Sequence, residues 1–236
     1  MTVPYRISVT LLDSLAYAMS RDDDESVMER FLTELRTGQV EPSLQMTAGK
    51  ALSNILEHEN LDSVIDHIVN GSTCLHYYCD PKTKIKFDST TIRALMEQQG
   101  PGQREVKREV PIDLGDGRHV VLVGKADHYN PDGPGFVRDS KLKVNSRLSI
   151  EDYFDAMQWR CYLWMFNAWQ FTYDFVIAES DDNVMVIHGK EIESVQFYRY
   201  HEMEQDIRQA VTRIVDVIDS QGCQARFQKP QNTEEH

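Results

Sequence analysis

The sequence contains no apolar run that approaches the roughly 20 residues a membrane-spanning helix needs. Residues 1–25 show no basic leader, no continuous apolar stretch and no small-residue cleavage site, which argues against a secretory signal. The four cysteines have no spacing that suggests disulfide pairs. Together these absences predict a cytoplasmic protein in a reducing compartment, with no membrane among its partners.

Basic residues are scarce as well. The chain has 25 lysines and arginines against 38 aspartates and glutamates, which gives a formal net charge of −13. This balance argues against a broad basic face of the kind that binds nucleic acid nonspecifically. One local exception stands out, because Arg138, Lys141, Lys143 and Arg147 lie within ten residues. An enzyme that binds nucleic acid in one basic groove and concentrates carboxylates around metal ions remains compatible with this pattern.

The periodicity of apolar residues changes once along the chain. Apolar residues at helical spacing predict helices over residues 8–20, 26–36, 47–59, 61–69 and 90–99. After Gly100-Pro101-Gly102 the alternation becomes that of strands, over residues 104–112, 119–128, 136–142, 171–178 and 184–188. Two further helices are expected, over residues 150–169 and 202–220.

These elements predict a single domain of 236 residues, since 41% apolar residues suffice for one sizeable core. Its fold class is α+β, an α/β sandwich in which helices flank a mixed central sheet. Residues 1–100 are expected to form a mostly helical part, residues 103–220 the αβ core and residues 222–236 a polar tail.

Two consecutive strands in this core each deliver an aspartate, Asp127 and Asp139. Lys141 is two residues beyond Asp139, so both side chains leave the same face of their strand, whereas Arg138 leaves the opposite face. Two neighbouring carboxylates repel one another, and their burial is costly unless a cation lies between them. A hard ion such as Mg²⁺ accepts carboxylate and water oxygens as ligands. A surface hairpin in which Asp139 and Lys141 form an ordinary ion pair would show the same short pattern.

The next helix adds weight to the metal-site interpretation. It places Gln158 and Tyr162 four residues apart and therefore on one face. The segments Gly124-Lys125-Ala126-Asp127, Asp139-Ser140-Lys141 and Gln158-Trp159-Arg160-Cys161-Tyr162 resemble, in order and spacing, the G-x-x-D, D-x-K and Q-x-x-x-Y motifs of the PD-(D/E)XK nuclease superfamily. The resemblance is to its RecB-like branch and to phage-type exonucleases similar to lambda exonuclease. It implies a restriction-endonuclease-like core with an N-terminal helical elaboration.

An earlier helix carries a fourth part of the resemblance. Nucleases of this kind often contain a G-x-x-x-H-x-x-x-E helix whose acid, and sometimes whose histidine, approaches the metal. Gly49 and Glu57 match the ends of that pattern, and Ser53 stands where the histidine would be. The resemblance therefore implies Glu57 as a metal ligand and leaves the histidine position without one.

The resemblance implies metal-assisted hydrolysis of DNA phosphodiester bonds with Mg²⁺ or Mn²⁺. Asp127, Asp139, the backbone of Ser140 and Glu57 would be the metal ligands, and Lys141 would orient or activate the attacking water. Gln158 and Tyr162 would position the lysine or a phosphate. The spacing of the cysteines does not match that of related nucleases with an iron–sulfur cluster, so no cluster is expected.

Further expectations concern partners. The candidates for contacts to the DNA backbone are four basic residues, Arg138, Lys143, Arg147 and Arg160. Similarity to phage recombination exonucleases implies digestion of DNA ends with little sequence specificity, a single-strand annealing partner and a homo-oligomer. Two alternatives stay open at this point: a catalytically inactive nuclease-fold protein that binds or inhibits, and an unrelated α+β adaptor domain.

Overall fold

A computed structural model describes residues 3–21, 24–39, 44–58, 65–69, 72–78, 84–144, 150–181, 184–187 and 192–228. Within these ranges the strands are β1 (Tyr5–Ser8), β2 (Ile65–Val69), β3 (Ser72–Tyr78), β4 (Lys84–Asp88), β5 (Gln103–Asp113), β6 (His119–Asn130), β7 (Phe136–Val144), β8 (Gln170–Asp181), β9 (Val184–Ile187) and β10 (Ile192–Tyr198). The helices are α1 (Val9–Ser20), α2 (Glu25–Thr37), α3 (Leu44–His58), α4 (Ser89–Gln99), α5 (Glu151–Phe154), α6 (Met157–Met165), α7 (Met203–Ser220) and α8 (Gln224–Phe227).

Six strands, β1, β5, β6, β7, β8 and β10, form the core of a mixed sheet. Strand β6 pairs antiparallel with β5 along one edge, and along its other edge it pairs first with β1, in parallel, and then with β7. Strand β8 follows β7 in parallel and has β10 as its antiparallel neighbour. The sheet then continues through β9, β4, β3 and β2. The α+β fold with a mixed sheet and flanking helices is thus confirmed.

The pairing of β6 with β7 is short and positions the functional site. It covers only His128–Asn130 on β6 and Phe136–Arg138 on β7. Beyond Arg138, strand β7 keeps its parallel partner β8 but is no longer paired with β6. The two strands therefore separate just where each carries its aspartate.

The core lies between the sheet and helices α1, α6 and α7, which contact one another. Leu12 of α1, Leu163 of α6 and Ile214 of α7 are fully or almost fully buried, as is Phe171 of β8. Helix α6 buries residues on most of its circumference, which a helix can do only when packed on several sides. Its position beneath the separating strands is consequently fixed.

The first hundred residues contain more strand than the sequence suggested. Strands β1, β2, β3 and β4 all lie there, between helices α1, α2, α3 and α4, which still account for most of the described residues of this part. The helix predicted over residues 61–69 was wrong, because Ile65–Val69 is strand β2 and pairs with β3. Asn70-Gly71, which suggested the end of a helix, is equally the strongest two-residue hairpin signal.

Two predictions near the C-terminal half need correction too. In place of one helix over residues 150–169, the structure has two helices, α5 and α6, which Asp155-Ala156 separates. The second of them, α6, ends at Met165. The backbone of Ala156 is extended, and the carboxylate of Asp13 accepts hydrogen bonds from the first amides of α6, so the break is stabilised locally. Strand β10 had no clear alternating pattern and was not predicted. In the predicted tail, Gln224–Phe227 forms α8, and residues 229–236 lie outside the described residues.

No helix in the described ranges is both long enough and apolar enough to cross a membrane.

Candidate active site

Asp127, Asp139 and Lys141 line a single cleft where β6 and β7 separate. Its volume is about 880 Å³, and its other walls come from the start of α1 and from α3. The backbone amide of Ser140 lies 3.4 Å from Oδ2 of Asp127, which is the direct link between the two strands at this level. The structure thus brings together the three residues on which the sequence motif depends.

Asp139 is held on both carboxylate oxygens. It is 3% exposed, Oδ1 accepts a hydrogen bond of 2.9 Å from Nε2 of Gln158, and Oδ2 lies 2.7 Å from Nζ of Lys141. Burial lowers the pKa of Lys141, but the charges of Asp139 and Asp127 outweigh burial and raise this pKa overall. Lys141 is therefore a protonated amine at neutral pH, aimed at the carboxylate pair.

Burial and the close approach of the two carboxylates change the pKa of Asp127. Burial, and then the negative charge of Asp139, raise the pKa of Asp127 above its ordinary value, although Lys141 acts in the opposite direction. A carboxyl group in this position resists ionisation unless a positive charge is supplied. The site thus favours a cation between the two strands.

The donor set fits a hard divalent ion. Two carboxylates, a backbone carbonyl at Ser140 and water are oxygen ligands of the type that Mg²⁺ and Mn²⁺ accept. Among the described residues, no three acidic, histidine or cysteine side chains converge as a group that could hold a metal ion. Within the described ranges, the further oxygens would come from a backbone carbonyl and several waters, and Mg²⁺ is commonly bound with several waters.

Gln158 and Tyr162 face the site from α6. Besides its bond to Asp139, Gln158 accepts a hydrogen bond of 3.3 Å from the hydroxyl of Tyr173. The hydroxyl of Tyr162 donates to the carbonyl of Lys125, at 2.8 Å. A Cβ at Gly124 would approach the Tyr162 ring to 2.9 Å, so the glycine of the G-x-x-D segment provides the space in which the ring packs. The structure thus connects Gln158 to the carboxylate and Tyr162 to the strand that carries Asp127.

Asp13 is a residue that the sequence analysis missed. Its Oδ1 accepts hydrogen bonds from the amides of Met157, at 2.8 Å, and Gln158, at 3.1 Å, and so caps α6 from a distant part of the chain. Burial raises its pKa, which Lys141 partly offsets. No local sequence signal identifies it, because the contact joins residues that are more than a hundred positions apart.

Two predicted site residues, Glu57 and Arg147, lie partly or wholly outside the described residues. Glu57 belongs to α3 by its backbone, but its side chain lies outside the described residues, and so does the whole of Arg147. Ser53, which stands at the histidine position of the pattern, does line the cleft together with Gly49 and Lys50. Helix α3 therefore faces the site as the resemblance implied, and the role of Glu57 stays a prediction.

The predicted DNA contacts are distributed over different surfaces. Arg138 is on the back of the sheet, where its guanidinium binds the buried carboxylate of Asp174 with two hydrogen bonds of 2.9 and 3.0 Å. Arg160 stacks on Trp159 and donates to the carbonyl of Ala156, away from the cleft. Lys143 lies beside Lys141 in an adjoining pocket of about 380 Å³. The basic residues that line the cleft itself are Lys50, Lys107, Lys125 and Lys141.

Glu105 also lines the cleft, and its backbone is unusual. Its φ of 53° lies in the left-handed region, although it stands on β5 between two regularly paired residues, Arg104 and Val106. Its side chain is 15% exposed and forms an ion pair with Lys125. A side chain other than glycine in this conformation costs about 1 kcal/mol or more and is typical of functional sites.

We expect Glu105→Gly to be about 1 kcal/mol more stable than Glu105→Ala, because only glycine adopts a positive φ without steric cost. Both variants lose the same carboxylate, so the difference between their free energies of unfolding reports the cost of the positive φ at position 105. Urea unfolding of the two proteins measures it. Equal stability would mean that the backbone at position 105 is not strained.

A divalent cation is expected to stabilise the fold more at about pH 8 than at about pH 6. Since the pKa of Asp127 is raised in the folded chain, the metal-free protein loses stability as pH rises from the ordinary carboxyl range through that raised pKa. A bound cation reverses this penalty because it prefers the ionised carboxylate. Thermal unfolding with Mg²⁺ and with chelator at both pH values tests the expectation, and an equal or larger shift at the lower pH would contradict it.

No family model matches the sequence, and no curated protein sequence matches it.

Several solved structures are similar to this chain. The protein SSO0001 shares 15% identity over 93% of this chain and 79% of its own, with a TM-score of 0.48. A phage-related exonuclease from Haemophilus somnus 129PT shares 17% identity over 80% of this chain and 92% of its own, with a TM-score of 0.38. The alkaline exonuclease LHK-Exo from Laribacter hongkongensis shares 13% identity over 94% and 92%, with a TM-score of 0.44. Each of these TM-scores is below 0.5.

Proposed function

We propose that this chain is a metal-dependent deoxyribonuclease that hydrolyses phosphodiester bonds of DNA. The observation that carries the proposal is the carboxylate pair, Asp127 and Asp139, at the point where β6 and β7 separate, with Lys141 bonded to it inside an open cleft. A surface hairpin would leave these side chains in solvent, and an adaptor domain has no need of a like-charge pair in which Asp139 is buried and Asp127 half-buried. A binding site for a divalent cation explains both the pairing of the two carboxylates and their removal from solvent.

Each residue of the cleft has a distinct task in this proposal. When bound, Mg²⁺ or Mn²⁺ polarises the scissile phosphate and lowers the pKa of water. Asp127, Asp139 and the carbonyl of Ser140 would hold the ion, with Glu57 as a further candidate ligand. Lys141, protonated beside Asp139, orients the attacking water and stabilises the negative charge that develops on the phosphate oxygens.

Gln158, on helix α6, orients the carboxylate of Asp139 in this proposal. It holds Oδ1 of Asp139 at 2.9 Å and is itself placed by the cap that Asp13 provides for α6. Because Oδ1 accepts this hydrogen bond and Oδ2 forms the ion pair with Lys141, Asp139 is already oriented before a ligand binds. Tyr162 supports β6 through the carbonyl of Lys125. The helix therefore preorganises both strands of the site.

DNA would enter along the basic side of the cleft. Lys50, Lys107 and Lys125 line it, and residues Ser8–Thr10 bring the N-terminal end of α1 to the same surface. Lysines and helix N-termini both favour phosphate groups, and such contacts carry affinity without sequence information. Lys143, in the adjoining pocket, extends this basic surface past Lys141. We therefore propose little sequence specificity.

The mode of action proposed is that of an exonuclease acting at DNA ends in recombination or repair. It is supported by the order of the four motif segments, which resembles that of phage-type exonucleases. A single-strand annealing protein and further copies of the same chain are the partners proposed on that basis, and the cytoplasm of a bacterial or phage-infected cell is the compartment.

One assay separates these possibilities. Linear and circular duplex DNA are incubated with the protein in Mg²⁺ and in chelator, and the products are resolved by length. We expect degradation of the linear substrate alone and only with the metal. Cleavage of the circle would indicate an endonuclease, and activity in chelator would remove the metal from the proposal. Metal-dependent binding without cleavage would identify an inactive nuclease-fold protein, an alternative that Ser53 at the histidine position favours.

A further inference from the structure

The Gly100-Pro101-Gly102 segment, which marked the change of period in the sequence, forms a tight turn behind the sheet. It connects the last residue of α4, Gln99, to the start of β5. Gly100 has a φ of 66°, in the left-handed region, and this conformation reverses the chain directly after the helix. Arg104 is thereby brought back beside Gln99.

The turn is fixed against β6 at two points. The side-chain amide of Asn130 donates to the carbonyl of Pro101, at 2.9 Å. A Cβ at Gly102 would lie 2.4 Å from Nε2 of His128, so only glycine permits this approach. Because His128 and Asn130 follow Asp127 on the same strand, the turn is positioned relative to the strand that carries this carboxylate.

From this position the side chain of Gln99 reaches strand β7. Its Nε2 donates to Oγ of Ser140, at 3.0 Å, and its Oε1 accepts from Nη1 of Arg104, at 2.6 Å. The residue is 1% exposed, so both ends of its amide are engaged away from bulk water. Buried amides are retained when they are satisfied in this way, and they then specify one geometry.

Ser140 is the residue whose position needs support. It lies between Asp139 and Lys141, at a level where β7 is no longer paired with β6. The remaining direct link is the 3.4 Å contact from its amide to Asp127, which is long for a hydrogen bond. The side chain of Ser140 points to the back of the sheet, opposite Asp139 and Lys141. The bond from Gln99 therefore restrains the separated part of β7. Gln99 does not line the cleft itself, but with Asp127 and Glu105 it borders a small adjoining cavity of about 10 Å³.

We propose that Gln99 is a positioning residue of the active site. Through Ser140 it sets the distance of β7 from β6, and with it the distance of Asp139 and the Ser140 carbonyl from Asp127. The inference rests on the proposed function, because the spacing of these oxygens matters only if they share a ligand. In this proposal the Gly-Pro-Gly turn contributes to the site because it holds Gln99 in position.

The test is the affinity of the full chain for Mn²⁺, measured by the electron paramagnetic resonance signal of the free ion. Gln99→Met removes both hydrogen bonds at nearly constant volume. We expect affinity to fall about tenfold, the effect typical of residues that support metal ligands, and kcat to fall with it. KM for DNA should stay unchanged, because Gln99 does not line the cleft.

Two comparisons give the test its control. Gln98→Met changes the neighbouring residue, which binds Asp174 and Ser194 on the same side of the sheet, and should leave Mn²⁺ affinity unchanged. Ser140→Ala should reproduce the effect of Gln99→Met, and the double variant should be no worse than either single one. Ser140→Ala also keeps the idea testable if Gln99→Met does not fold.

The possible failures are distinguishable. If the unaltered protein binds no Mn²⁺, or if Asp139→Asn binds it equally well, the proposed function itself fails. If the unaltered protein binds Mn²⁺ and Asp139→Asn does not, but Gln99→Met and Ser140→Ala bind it normally, only the positioning role of Gln99 fails. Additive losses in the double variant would likewise show that Gln99 does not act through Ser140.

Discussion

Replacing Asp139 by asparagine should lower Mg²⁺-dependent DNA degradation on the order of a thousandfold, since bound metal contributes several kcal/mol to the transition state. The substitution removes a buried charge but keeps an oxygen that can accept from Gln158, so the fold should survive. Asp127→Asn should have an effect of similar size, because the other half of the carboxylate pair is lost. Steady-state rates on linear duplex DNA measure both.

Asp132→Asn provides the matched control. Asp132 lies in the exposed loop between β6 and β7, only a few residues from both site aspartates, and does not line the cleft. It should keep the rate of the unaltered protein. Circular dichroism of all three variants confirms folding, and a folded Asp139→Asn protein with full activity would remove the proposed site.

Lys141→Met is expected to reduce kcat by about a hundredfold or more while leaving Mn²⁺ affinity equal or higher. The amine lies 2.7 Å from Oδ2 of Asp139, where it competes with a cation for the same oxygen. Its loss therefore frees a ligand atom and at the same time removes the positive charge that acts on the water and the phosphate. Rate and affinity should move independently, which distinguishes Lys141 from the aspartates.

Lys141→Arg adds a second comparison for this residue. Arginine keeps the charge but, as a wide planar group, cannot replace a compact ammonium at a water molecule, so we expect only a small recovery of kcat. If Lys141→Met lowered affinity and left kcat unchanged, the lysine would belong to the structure of the site and not to its chemistry.

The arrangement of the candidate site was largely predictable because it follows from the regular alternation of side chains along β6 and β7. Alternation along β7 places Asp139 and Lys141 on one face, and the following helix presents Gln158 on the side that meets them. These relations need only the periods of a strand and a helix, together with the motif order that the resemblance implied. The central strands and α6 were found for the same reason.

What escaped prediction depends on contacts between distant segments. Asp13 caps α6, and Gln99 binds Ser140, without any local signal that couples the residues. The left-handed backbone at Glu105 cannot be read from a glutamate in an alternating strand. Strand β2 was mistaken for a helix because a short apolar run fits both periods, and its partner β3 had not been recognised.

The central claim is that Asp127 and Asp139 are placed together to hold a divalent cation. Crystals soaked in Mn²⁺ and measured at the manganese absorption edge test it directly, because anomalous scattering locates the ion without reference to activity. We expect an anomalous peak between the two carboxylates, within coordination distance of the Ser140 carbonyl, and no peak there in Asp139→Asn. Fully occupied manganese elsewhere on the protein, with none between these strands, would contradict the account.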